Sequence, residues 1–158
     1  MEETISSDTA GERVLIVEDD PATRSGLAEL VQAWGFQTDE APDGEEALRR
    51  VTNFRPAIIV SDLVMPRMGG HDLLRTLKDQ LSDITFILLT AQGTIESAVE
   101  AIKDGAYDYL SKPVDPQRLQ ILLNKAVERQ ETLREVKALR RQLKDRWRHL
   151  DPHCLADR

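Results

Sequence analysis

The chain is almost without cysteine: Cys154 is the only one in 158 residues. That excludes an internal disulfide framework and any cysteine-cluster metal site, and it makes a reducing, cytosolic location the expectation. No apolar run approaches the roughly 18 residues that a membrane helix needs, so no membrane association is expected. Residues 1–12 carry acids but no Lys or Arg, unlike a secretory signal or a basic transit peptide. They read as a flexible N-terminus. Histidine is scarce too: His71 reads as solvent-facing beside a helix, His149 and His153 lie in the tail, and none has a nucleophile as partner.

What remains is ordinary globular composition, 41% hydrophobic and 31% charged. The charge is unevenly spread. Residues 1–116 hold 10 Lys/Arg against 22 Asp/Glu, a net of −12, whereas residues 117–158 hold 11 against 6, a net of +5. An acidic body repels phosphates, so no direct binding of nucleic acid by this chain is expected. The basic tail reads as a second functional part.

Short apolar runs alternate with amphipathic stretches. Val14-Leu15-Ile16-Val17, Ala57-Ile58-Ile59-Val60 and Phe86-Ile87-Leu88-Leu89 read as strands buried on both faces. Phe36-Gln37-Thr38 and Tyr107-Asp108-Tyr109-Leu110 read as weaker strands. Helices follow each: one opened by Asp20 and Pro21 and ended by Gly35, one after Pro42-Asp43-Gly44, one after Gly69-Gly70, one capped by Thr94, and a long one after Pro113 and Pro116. Five βα units predict a doubly wound, five-stranded parallel α/β sheet with helices on both faces and an extended C-terminal helix. From Leu122 through Ala126, Arg129, Leu133, Val136, Arg140, Leu143 and Trp147 to Leu150, spacings of four and three alternate. This is a heptad seam. It divides the chain into a body at 13–127, a coiled-coil-like helical linker at 128–150 and a disordered tail at 151–158. The competing picture is one long helix folded onto its own body.

Ligands of open parallel sheets bind beyond the carboxyl ends of the strands. Glu18, Asp19 and Asp20 end the first strand, Asp62 the third and Thr90 the fourth, while Lys112-Pro113 follows the fifth. Clustered carboxylates repel unless a cation neutralises them, and oxygen-only ligands that retain water suit Mg²⁺. Asp62 is then either a ligand or a nucleophile forming an aspartyl phosphate. The hydroxyl of Thr90 and the ammonium of Lys112 favour the second, because phosphoryl oxygens call for donors and positive charge.

These motifs resemble those of response-regulator receiver domains of bacterial two-component systems. The likeness runs from about Arg13 to Val127 and rests on Leu15-Ile16-Val17-Glu18-Asp19-Asp20, Ser61-Asp62-Leu63-Val64-Met65-Pro66 with Gly69-Gly70, Leu89-Thr90-Ala91, and Tyr109-Leu110-Ser111-Lys112-Pro113. The resemblance implies a flavodoxin-like fold with Asp62 as phosphoacceptor and a sensor histidine kinase as partner. It implies Mg²⁺ held by Asp19 directly, by Glu18 through water, by Asp62 and by the backbone carbonyl of Val64. It makes Thr90 and Lys112 the groups on the phosphoryl oxygens, Tyr109 the aromatic that rotates inward on activation, and the Lys112–Pro113 bond cis. Val64 and Gln92 would flank the hydrolytic water, giving a long-lived phosphoryl group.

The tail is similar to linkers of NtrC-like sigma-54 activators, although the chain has neither a Gly-x-x-x-x-Gly-Lys loop nor a helix-turn-helix. The expected function is a phosphorylation switch with a transcriptional output, a homodimer through the C-terminal helix, and an enzyme only towards itself. The alternatives are an Mg-dependent aspartyl phosphohydrolase, a stand-alone interaction domain, and a nucleotide-binding domain of similar fold, against which the lack of a glycine loop after the first strand counts.

Overall fold

The computed structural model describes residues 11–80, 83–91 and 95–149. Among these residues ten elements alternate: β1 Arg13–Val17, α1 Pro21–Ala33, β2 Gln37–Ala41, α2 Gly44–Phe54, β3 Ile58–Asp62, α3 Gly70–Gln80, β4 Thr85–Thr90, α4 Ile95–Lys103, β5 Asp108–Ser111 and α5 Pro116–His149. All strand pairs are parallel, in the order β2-β1-β3-β4-β5. The expected Thr94 cap, Gln92, Leu150, His153 and most of the two terminal segments lie outside the described residues.

The continuous apolar runs serve two cores at once, because successive strand residues face opposite sides. Val14, Ile16, Ile58, Val60, Ile87 and Leu89 pack with Leu27, Val31, Leu119 and Leu123 of α1 and α5. Leu15, Val17, Ile59, Phe86 and Leu88 pack with Val51, Leu73 and Leu77 of α2 and α3. Each fully buried Leu or Ile stabilises the fold by about 1.5–3 kcal/mol. The edge strand β2 carries Thr38, Asp39 and Glu40, and only Ala41 is fully buried. Its place is set by pairing with β1 from Arg13↔Gln37 to Val17↔Ala41, so it runs three residues beyond the Phe36–Thr38 segment that its apolar content marks.

Helix starts follow the expected chemistry. Asp20 caps α1 by accepting from the Thr23 amide at 3.0 Å, with Pro21 as the first helical residue. Asp43 does the same for α2 by accepting from Glu46 N at 2.9 Å. Gly35, at φ +100°, turns the chain out of α1 into β2.

Two sequence expectations need correction. The heptad seam does not run free from Leu122, because the body has already used its first turns: Leu122 and Ala126 are buried in the α1–α5 core. Arg129 Nη1 donates to Thr85 Oγ1 at 2.8 Å, and Gln130, itself buried, donates through Nε2 to Thr85 Oγ1 at 2.8 Å and to the Asp83 carbonyl. Arg134 pairs with Glu12 at 2.8 Å, and Lys137 pairs with Asp83. Body contacts therefore continue well past residue 127 along one unbroken helix. The apolar stripe left exposed consists of Val136, Leu139, Leu143 and Trp147.

The second correction concerns His71, which does not face solvent. Its side chain is 18% exposed, and Nε2 lies 2.6 Å from Asp104 Oδ2. Arg75 Nε donates to the same oxygen at 3.1 Å, and Lys78 Nζ to the Asp104 carbonyl. This fastens α3 to the end of α4. The hydrogen bonds from His71 and Arg75 hold the Asp104 carboxyl below its ordinary value of 3.8. A depressed carboxyl stabilises the fold above its unfolded pKa, and that contribution disappears as pH falls through the folded one. The stability difference between wild type and Asp104→Asn in urea should therefore shrink as pH falls below about 4. A difference that grows as pH falls below about 4 would contradict this arrangement.

Candidate functional site

The C-terminal ends of β1, β3, β4 and β5 meet at one edge of the sheet. Pairing of Val17 with Ser61 sets Glu18 and Asp62 at neighbouring strand ends. Carboxylate oxygens of Glu18, Asp19 and Asp62 lie within 4.8 Å of one another. Glu18 and Asp62 are buried, at 2% and 7% exposure, and Asp19 is exposed. Lys112 reaches over from the loop after β5, where the Lys112–Pro113 bond is cis. Its Nζ donates to Glu18 Oε1 at 2.9 Å and to Asp62 Oδ2 at 2.8 Å, while its amide donates to the Thr90 carbonyl at 2.7 Å.

The electrostatics follow from that geometry. Burial pushes the Glu18 carboxyl above its ordinary value; the ammonium of Lys112 opposes the shift and the charge of Asp62 adds to it. Burial works to lower the Lys112 pKa, but its hydrogen bonds to Asp62 and Glu18 prevail, and the ammonium is held above its ordinary range. Three carboxylates against one ammonium leave an excess of negative charge. The donors are all oxygen and Asp19 lies open to water, which fits a hard divalent cation that keeps part of its hydration.

Thr90, 1% exposed, has a buried Oγ1 with no hydrogen-bond partner among the described residues. An unsatisfied buried hydroxyl costs about 1–3 kcal/mol. Tyr109 is half-buried against the α2–α3 core. It pairs with Leu88, two residues before Thr90, so Thr90 and Tyr109 stand diagonally on one face of the sheet. Val64, in the loop after β3, is 68% exposed. Asp20 stays out of the cluster as the α1 cap, and Thr23 holds its carboxyl below the ordinary value.

Sequence reading missed two supports of this edge. Arg24 of α1 donates through Nη1 to the Glu18 carbonyl at 2.8 Å and through Nε to Glu40 Oε1 at 3.2 Å. A lone arginine one turn into a helix carries no signal of that role. Gly70 is the other: its amide donates to the Leu63 carbonyl at 2.9 Å, and a Cβ there would stand 2.5 Å from the Asp62 carbonyl and 3.1 Å from Ser61 Oγ. The Gly69-Gly70 pair is legible as a helix start and as part of the motif that carries the resemblance, but not as a close approach to the Asp62 backbone.

Residues 14–124 match the response regulator receiver domain family, and the chain belongs to it. Regulatory protein AtoC of Escherichia coli (strain K12) is 33% identical over 139 residues, which cover 88% of this chain and 30% of AtoC. Nitrogen assimilation regulatory protein NtrX of Azorhizobium caulinodans is 32% identical over 147 residues, covering 92% of this chain and 31% of NtrX. The chain thus spans about three tenths of the length of these relatives. Among solved structures, a receiver domain protein from Clostridium thermocellum superposes with a TM-score of 0.74 at 31% identity, covering 77% of this chain and 98% of that one. The NtrX structure from Brucella abortus in complex with ADP gives 0.77 at 30% identity, over 82% of this chain and 30% of that one. These likenesses favour the receiver reading over the phosphohydrolase and nucleotide-binding alternatives. No described helix is long and apolar enough to cross a membrane.

Because Gly70 abuts the Asp62 backbone, Gly70→Ala must displace the end of β3 or the start of α3. Overpacking of this kind costs about 1–3 kcal/mol. Urea denaturation should show a loss in that range, and an unchanged midpoint would refute the close approach.

Proposed function

We propose that the chain is a phosphorylation-activated switch in which Asp62 accepts a phosphoryl group from a partner sensor histidine kinase and the altered body controls a transcriptional output. A carboxylate oxygen of Asp62 attacks the phosphorus, the bond from phosphorus to the kinase imidazole breaks, and the imidazole leaves with the electron pair. Glu18, Asp19, Asp62 and the Val64 carbonyl would hold Mg²⁺, which when bound supplies positive charge to the transferring oxygens. Lys112 holds Asp62 in place beforehand and then shares its ammonium with the phosphoryl group.

The observation that carries this reading is Thr90, a buried donor with no acceptor among the described residues, beside an acidic strand end. A phosphoryl oxygen arriving on Asp62 satisfies that hydroxyl. Its recruitment frees space on the face it shares with Tyr109, whose ring then moves inward. The exposed Val64 side chain offers the hydrolytic water no hydrogen bond, consistent with a long-lived phosphoryl group. Catalysis is confined to the protein's own phosphorylation and dephosphorylation. We divide the chain into a receiver body that keeps α5 as far as Lys137, past the boundary at 127 expected from the sequence, and a helical extension beyond it.

Acetyl phosphate with Mg²⁺ should add one phosphoryl mass to the intact wild-type protein and none to Asp62→Asn. Equal labelling of both, or labelling undiminished by a chelator, would overturn the assignment.

The extension is read as the means of homodimerisation. Val136, Leu139, Leu143 and Trp147 expose an apolar stripe at helical spacing, and a second copy of the same stripe is its simplest cover. Arg140 beside it weakens the contact and suits a reversible pair. At tens of micromolar the wild-type chain should sediment as a dimer and Leu143→Glu as a monomer, with unchanged helix content. A monomeric wild type would exclude the dimer.

A further inference from the structure

We propose that Arg24 is a positioning residue that sets the place of the Asp19 carboxylate, and thereby the divalent-ion affinity of the cluster; this rests on the function proposed above. Asp19 is exposed, so packing does little to fix it. Besides its contact with the Glu18 carboxyl, its position depends on the backbone to either side. On the C-terminal side, Asp20 is held firmly: its carboxylate accepts from the amide and hydroxyl of Thr23 at 3.0 and 2.5 Å, and its amide donates to Glu18 Oε2 at 3.1 Å. On the N-terminal side, the last ladder bond is from Glu18 N to the Ala41 carbonyl at 3.1 Å. The Glu18 carbonyl, one bond further on, lies beyond the strand pairing.

Arg24 meets that carbonyl. Its amide donates to the Asp20 carbonyl at 2.9 Å, placing it in the first turn of α1, and Nη1 reaches back 2.8 Å to Glu18 O. The guanidinium is aimed by Glu40 of β2, 3.2 Å from Nε, and the side chain is 18% exposed. The fork thus spans α1, β1 and β2 and locks the peptide joining Glu18 to Asp19, the two carboxylates that β1 supplies. Lysine cannot reproduce this. An ammonium is a point donor, whereas the planar guanidinium reaches two acceptors in fixed directions.

The test is Mg²⁺ affinity of the full chain by calorimetry, with urea midpoints recorded in parallel. Arg24→Gln should bind Mg²⁺ about tenfold more weakly, the scale on which supports of metal ligands act. Arg24→Lys should recover little of that loss. Glu40→Gln should cause a smaller loss and add nothing to Arg24→Gln. Arg50→Gln is the control: Arg50 similarly links α2 to β2 through Asp39 at 2.8 Å and Glu46 at 3.0 Å, away from the cluster, and its loss should leave Mg²⁺ affinity as in wild type. Wild-type affinity in Arg24→Gln overturns the proposal, as does full recovery in Arg24→Lys or an equal loss in Arg50→Gln. A wild type that takes up no Mg²⁺ overturns this inference and the proposed function together. Wild-type uptake with an unaffected Arg24→Gln overturns the role of Arg24 alone.

Discussion

The contact on which the acidic edge depends is the double hydrogen bond from Lys112 to Glu18 and Asp62, joining residues 94 and 50 positions apart. Without it, two buried carboxylates would face each other across adjacent strand ends and repel. With it, three strands are tied at the end where the ladder hydrogen bonds stop. The ammonium is held by geometry on both sides: the Lys112 amide is fixed to the Thr90 carbonyl, so Lys112 connects the acidic cluster directly to the strand that bears the Thr90 hydroxyl.

The sheet reads readily from the sequence because burial on two faces leaves a mark that burial on one does not. Val14–Val17, Ile58–Val60 and Phe86–Leu89 are apolar without interruption, and the structure divides each between two cores. β2 is harder, since an edge strand bearing Thr38, Asp39 and Glu40 takes its place from pairing, which local composition does not record. The acids, hydroxyl and lysine were legible because chain order in a parallel sheet determines which residues end at the same edge. Arg24 was not. Its role depends on a carbonyl that leaves the ladder, which is a property of the fold and of no residue type.

The tail shows the reverse case, one pattern that serves two settings. A four-three spacing states that one side of a helix is apolar, and it is silent on what covers that side. Leu122 and Ala126 satisfy it against the body, while Val136, Leu143 and Trp147 satisfy it facing outward. His71 makes the same point in small. A lone histidine at a helix start has no partner within its own segment, and Asp104 comes to it from 33 residues away.

The bonds from Arg129, Gln130 and Lys137 to the start of β4 fix where the long helix stops being part of the body. Beyond Lys137, residues 138–149 continue for roughly 18 Å at about 1.5 Å per residue. Such an arm acts as a pointer whose pivot is Thr85 and Asp83. One degree of tilt at the pivot carries its far end sideways by about 0.3 Å for an arm of that length. A repacking of β4 too small to disturb the sheet is thus magnified at Trp147, on the stripe where a second pointer would be met.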